Sequence, residues 1–280
     1  MTNPLIAARD AFAAETPEAR IDLRGRDWGV IDTGASGPAL LLIPGTLGRA
    51  DIFWQQINQL TGIRCLAVSY PARGSITEWV DDLALLLDQR GLQTAAVLGS
   101  SLGGYVAQHF AACHPARVSH LFAANTLSSV TGIADRLPYA LDLHDAPIEQ
   151  LRGGFAMAMQ AWGAAHPEQA DLVGFLLAES AGRIPDAEMR ARLAALKDAA
   201  PLPEDPRPAA QTTILEADDD PLITPKMRAA VRARYPGSVA QRFAWGGHFP
   251  YVLRPDLYTA LIRSGMGLAG LPDDRAGGAA

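Results

Sequence analysis

The sequence predicts an α/β protein, a mainly parallel sheet with helices on both faces and a helical insertion. Three observations point there. Short continuous apolar runs recur at Ala39–Ile43, Arg64–Val68, Thr94–Leu98 and Val118–Ala124, as expected of strands buried on both faces. Stretches with helical periodicity separate them, and that alternation is the mark of a parallel sheet covered by helices. The alternation then stops: residues 128–208 hold no strand-like run and are cut by Pro138, Pro147, Pro167 and Pro185. The expected organisation is a core of residues 1–127 and 209–270 with 128–208 as a helical cap over the carboxyl edge of the sheet. The tail 271–280 is expected to be disordered.

Taken in order, Asn3-Pro4 opens a short helix, since proline is tolerated in a first turn. Ala19–Leu23 and Trp28–Asp32 alternate loosely around Gly25 and read as a hairpin of edge strands. Ala39–Ile43 ends in Pro44-Gly45-Thr46-Leu47-Gly48, a turn that permits close backbone approach. Ile52–Leu60 is helical in pattern, Arg64–Val68 is a buried strand, and Thr77–Gln89 is a helix stopped by Arg90-Gly91. Beyond the insertion and its Pro-rich end, Pro201–Pro208, strand and helix alternate again. Gln211–Glu216 and Ser238–Ala244 read as strands, Thr224–Tyr235 and Pro255–Ile262 as helices.

Bulk properties narrow the function classes. Hydrophobic residues make up 49% of the 280 and charged residues 19%, a globular composition. A net charge of −6 gives no electrostatic reason to expect a nucleic-acid partner. No apolar stretch is long enough to span a membrane, and Met1–Asp10 lacks the pattern of a signal peptide. Two cysteines make no disulfide framework; Cys65 and Cys113 both read as buried small hydrophobes. A cytoplasmic location is the default expectation. No metal-ligand spacing, phosphate loop or dinucleotide fingerprint appears, so no cofactor is implied.

The chemistry is concentrated at Gly99-Ser100-Ser101-Leu102-Gly103. A strand that reverses into a helix within a few residues strains its apex residue, and the positions two before and two after must lack side chains. Gly99 and Gly103 flank Ser101 in that way, which makes it the apex of a nucleophile elbow. Ser100, flanked by Leu98 and Leu102, fails the same test. A serine hydroxyl needs a base. Of the six histidines, His248 alone sits in a Gly-rich loop after the last strand, where α/β sheets place reactive groups. His109, His114, His120, His144 and His166 read as structural or solvent-facing. An acid must hold the base's tautomer, and Asp218-Asp219-Asp220 follows the penultimate strand. Asp220 is the chosen acid and Asp219 the alternative; Asn125, after Val118–Ala124, cannot carry the charge. The oxyanion of an acyl-transfer intermediate needs two backbone N–H groups, assigned to Leu102 and Thr46.

These motifs together resemble the α/β-hydrolase superfamily. The resemblance implies Ser101, Asp220 and His248 as nucleophile, acid and base, with His248 coming 28 residues after Asp220. One motif departs: Pro44 stands where that family usually has histidine, which removes the usual bracing of the oxyanion loop. Within the superfamily, Asp51–Ile57, Gly99–Gln108 and Gly246–Tyr251 resemble maspardin and its bacterial relatives. Maspardin is regarded as a binding protein with Asn in place of the triad histidine, whereas His248 is present here.

The expected function is a serine hydrolase acting on a small hydrophobic ester or thioester. The apolar run Gly153–Trp162 of the insertion is expected to roof the pocket or pack on the core. The alternatives are a non-catalytic binding protein, or a lyase, acyltransferase or C–C bond hydrolase using the same three residues.

Overall fold

The computed structural model describes residues 2–268; the expected disorder of 271–280 lies outside them. Eight strands form one sheet in the order β1-β2-β4-β3-β5-β6-β7-β8. They are β1 (Ala19–Leu23), β2 (Arg26–Asp32), β3 (Ala39–Ile43), β4 (Arg64–Ser69), β5 (Ala95–Ser100), β6 (Val118–Ala124), β7 (Thr212–Ala217) and β8 (Val239–Phe243). From β4 through β8 neighbouring strands are parallel; β2 pairs antiparallel with both β1 and β4. The hairpin was expected to lie wholly at the edge, but only β1 does. Val30 opposes Val68 across the β2–β4 ladder, and Trp28, Val30 and Ile31 are buried, so β2 is an inner strand.

The central strands are mostly apolar on both sides because both faces are covered, and successive side chains point to opposite faces. Leu41 and Ile43 of β3 join the core on one side, Leu40 and Leu42 the core on the other. The first face is covered by α3 (Ile76–Gln89), α4 (Leu102–Cys113) and α8 (Pro225–Arg234). The second is covered by α1 (Pro4–Glu15), α2 (Trp54–Gln59) and α10 (Pro255–Gly265), the last preceded by the single turn α9 (Pro250–Leu253). Ser75 caps α3 in a reciprocal box with Glu78, satisfying two N–H groups that a helix start leaves orphaned.

Between β6 and β7 stand α5 (Ile148–Ala165), α6 (Ala170–Ala178) and α7 (Asp186–Lys197), with no strand among them. Three of the four prolines that cut this stretch mark helix starts, while Pro138 lies in a turn. Pro147 and Pro185 are the residues before α5 and α7, and Pro167 opens a short 3₁₀ turn before α6. Helix α6 also packs its Phe175 on Trp54 of α2, ring centroids 5.3 Å apart. One expectation fails outright. Cys65 is buried but Cys113, in the last turn of α4, is exposed, because it lies on the face of that helix turned from the sheet.

Candidate active site

Helix α4 starts immediately after β5, with Ser101 as the only residue between them. Its backbone takes φ 57° and ψ −120°, a conformation disfavoured for any residue with a Cβ. The surroundings impose it. The Ser101 N–H donates to Ala124 O at 3.0 Å, and its carbonyl accepts from Gly104 N, Tyr105 N and, at 2.7 Å, Thr126 Oγ1. The glycines are sterically required. A Cβ on Gly99 would overlap the Gly103 carbonyl, and one on Gly103 would overlap the Ile43 carbonyl of β3.

The three aspartates after β7 separate in space. Asp218 points outward to Arg242, its Oδ1 accepting from Nη2 at 2.7 Å. Asp219 accepts from Gly246 N at 3.2 Å and Gly247 N at 2.9 Å, fixing the loop that carries His248. Asp220 turns inward and is 6% exposed, as is His248. Its Oδ1 and Oδ2 lie 3.1 and 2.9 Å from His248 Nδ1. Asp220 Oδ1 also accepts from Leu222 N and Ile223 N, and Oδ2 from Asn125 Nδ2 at 2.9 Å. Burial alone would raise the Asp220 pKa; the neighbouring His248, with the hydrogen bonds from His248, Asn125 and Ile223 N–H, outweighs it and holds the carboxyl below its ordinary value. An ionised Asp220 can only accept, so His248 Nδ1 carries the proton and Nε2 is left as the basic nitrogen.

Ser101 and His248 line one cavity of about 200 Å³. No hydrogen bond between them occurs among the described residues; catalytic hydrogen bonds commonly tighten only with substrate in place. The loop 45–48, which holds Thr46, forms part of the same wall, as do Phe155 and Met159 of α5 and Leu127, Ile223 and Phe249 of the core. The run Gly153–Trp162 therefore divides: Phe155 and Met159 meet the cavity, Met157 is 63% exposed, and Trp162 stacks on His166. The other five histidines lie outside the cavity wall. His120, for one, bonds Thr213 Oγ1 at 2.9 Å, and burial lowers its pKa to about 4.

Thr46 is buried, and no backbone or side-chain acceptor among the described residues takes its N–H. Leu102 N–H, at the start of α4, is an orphan of the helix terminus. The sequence reading missed three groups around this site. Asn125, with φ 40°, links Asp220 to the Gly247 carbonyl. Tyr70 donates to Pro44 O at 2.7 Å. Arg192, in an ordinary-looking charged helix, reaches the loop 45–48 at Thr46 O and Gly48 O. Tyr70 and Asn125 each stand at the end of a strand, the one local cue on offer, and Asn125 was weighed there only as an acid that could not carry the charge.

A model of the alpha/beta hydrolase family matches residues 40–261, most of the chain and all of this site from the loop 45–48 onward. The chain belongs to that family. Maspardin of Mus musculus is 29% identical over 239 residues, which cover 81% of this chain and 75% of maspardin. The putative carbamate hydrolase RutD of Escherichia coli O157:H7 is 27% identical over 262 residues, covering 83% and 92% of the two chains. Among solved structures, a hydrolase from Pseudomonas aeruginosa PA01 superposes with a TM-score of 0.72 at 20% identity, covering 90% of this chain and 98% of that one. The enol-lactonase of Burkholderia xenovorans gives 0.73 at 16% identity, covering 89% and 100%. The solved structures support the fold; the maspardin similarity agrees with the resemblance read from the sequence. No helix among the described residues is long and apolar enough to cross a membrane.

Proposed function

We propose that this alpha/beta hydrolase is a serine hydrolase that cleaves small hydrophobic esters or thioesters through an acyl-enzyme. The observation that carries the reading is the buried Asp220–His248 pair opening onto the same cavity as the strained Ser101. Ser101 Oγ attacks the substrate carbonyl while His248 Nε2 takes its proton. Asp220 holds the imidazole's tautomer and balances the imidazolium that forms. The Thr46 and Leu102 N–H groups receive the oxyanion. The intermediate collapses as His248 returns the proton to the leaving alcohol or thiol. Water, deprotonated by His248, then releases the acid from Ser101. No metal or other cofactor enters this scheme, and the partner is a small-molecule substrate.

Ser101→Ala is expected to reduce turnover of p-nitrophenyl butyrate on the order of 10⁴- to 10⁶-fold. Near-normal hydrolysis by that variant would refute the assignment. The similarity to maspardin favours a second reading, a binding protein that kept the pocket. A fluorophosphonate probe separates the two: the enzyme reading requires rapid labelling of Ser101 that depends on His248, and the binding reading requires none.

A further inference from the structure

Pro44 brings no side-chain donor to the oxyanion loop, yet four of the five carbonyls of 44–48 are hydrogen-bonded. Pro44 O accepts from Tyr70 Oη at 2.7 Å and Gly45 O from Gly48 N at 3.1 Å. Thr46 O and Gly48 O both accept from Arg192 Nη1, at 2.9 and 2.8 Å. Arg192 belongs to α7 of the insertion, 146 residues from Thr46 in the chain, and is wholly buried. Its guanidinium lies 5.1 Å from the centre of the Tyr70 ring, and Nη2 donates to Glu188 Oε2 at 3.2 Å. The insertion also holds the loop's side chain: Leu47 is buried in a small apolar cluster with Met189 and Leu193 of α7 and with Leu143, Leu151 and Ile184.

We propose that Arg192 is a positioning residue for the oxyanion hole: held by the insertion, it fixes the peptides that follow Thr46 and Gly48 and so aims the Thr46 N–H at the reacting carbonyl. The inference rests on the serine-hydrolase reading and adds to it that the insertion completes the catalytic geometry as well as covering the pocket. A buried guanidinium is costly to maintain, and a well-packed apolar side chain commonly serves stability as well or better. Arg192 is maintained even though its Nε meets no partner among the described residues. What an apolar side chain could not do is hold two loop carbonyls in one orientation. The peptide carrying the Thr46 N–H is tied through its own carbonyl, Gly45 O, to Gly48 N, and Arg192 holds that turn from outside at Thr46 O and Gly48 O, so losing Arg192 lets the whole turn shift and with it the direction of the Thr46 N–H.

The test compares Arg192→Met, Arg192→Lys and Arg190→Met. Arg190, on the same helix, donates only to Leu143 O and Ala146 O within the insertion, and controls for general loosening of α7. Each variant is checked for folding by circular dichroism and thermal melting. Hydrolysis of p-nitrophenyl butyrate is then measured, together with inhibition by a trifluoromethyl ketone, which forms a tetrahedral adduct with Ser101, and by the matching methyl alcohol, which does not. The expected result for Arg192→Met is a kcat about 10- to 100-fold lower with KM nearly unchanged, part of the cost of losing one oxyanion donor. Trifluoromethyl ketone affinity should fall in parallel while alcohol affinity holds. Arg192→Lys, which keeps the charge but not the planar fork, should fall between Met and wild type, and Arg190→Met should match wild type.

Equal losses for both inhibitors, or an Arg190→Met as impaired as Arg192→Met, would overturn the proposal. If Arg192→Met does not fold, Arg192→Lys decides: unchanged kcat and ketone affinity in that variant count against it. Failure of the hydrolase reading itself shows separately, as a wild type with no activity that depends on Ser101.

Discussion

Three consecutive aspartates leave β7, and each carboxylate is committed to a different neighbour. Asp218 meets Arg242 at the surface, Asp219 the amides of Gly246 and Gly247, and Asp220 the buried imidazole. Asp220→Asn should therefore lower kcat on the order of 10⁴-fold by favouring the wrong tautomer. Asp219→Asn should cost about 10-fold, through a loosened His248 loop. Equal losses in the two variants, measured as kcat on one ester, would contradict the division. Ser101 and His248 were legible because the cues are local: paired glycines around one, a glycine-rich loop around the other. The choice of Asp220 over Asp219 had no such local cue, since the two share one turn and one chemistry; it leaned on the family resemblance, and Asp220 is the one that meets His248.

His120 makes a prediction of its own. The unfolded chain protonates it near pH 6.5, the folded chain only at about 4, because burial disfavours the charge and Arg207 adds to the effect. Between those values the unfolded state binds more protons, so stability falls as pH drops through that window. Urea titrations from pH 7 to pH 4.5 should show a slope that His120→Gln reduces by on the order of 1–3 kcal/mol in total. An unchanged slope would mean that the folded protein protonates His120 normally.

At the scale of elements, the elbow is the most constrained joint in the fold. Helix α4 begins at Leu102, so Gly103 and Gly104 lie in its first turn although they supply no apolar periodicity. Gly104 brings the helix against Thr126, where a Cβ would overlap the side chain. Gly99→Ala should destabilise the protein by about 1–3 kcal/mol and lower fluorophosphonate labelling of Ser101 by more than that loss explains. Retention of wild-type labelling and melting temperature would show that β5 and α4 can separate without cost. Most strands were readable as apolar runs, but the inner position of β2 was not. Its half-polar pattern suits an edge, and only its register with β4 reveals a partner on each side.

Across the whole molecule, the cavity lies between the carboxyl edge of the sheet and the insertion, with a mostly apolar wall. Acyl chains should bind there by burial, at about 0.8 kcal/mol per methylene, or roughly fourfold in kcat/KM. A series of p-nitrophenyl esters should rise at that rate until the chain meets Phe155 and Met159, and Phe155→Ala should move the optimum to longer acyl groups. A flat series would argue against an apolar acyl site. The insertion is also tied to the N-terminal helix: Asn3 Nδ2 donates to Asp171 O at 2.7 Å, and Arg9 pairs with the buried Glu179. This contact gives α1 a place that its sequence did not suggest.

By itself the sequence determined the alternation of strand and helix, the elbow at Ser101 and the loop position of His248. Each is written in residues adjacent along the chain, through backbone sterics and hydrophobic period. Only the tertiary structure decided how the three aspartates divide their partners, which side chains hold the carbonyls of loop 44–48, and how the insertion meets the pocket. Those depend on side chains far apart in the chain, such as Arg192 and Thr46, whose hydrogen bonds exist only once the sheet and the insertion have packed together.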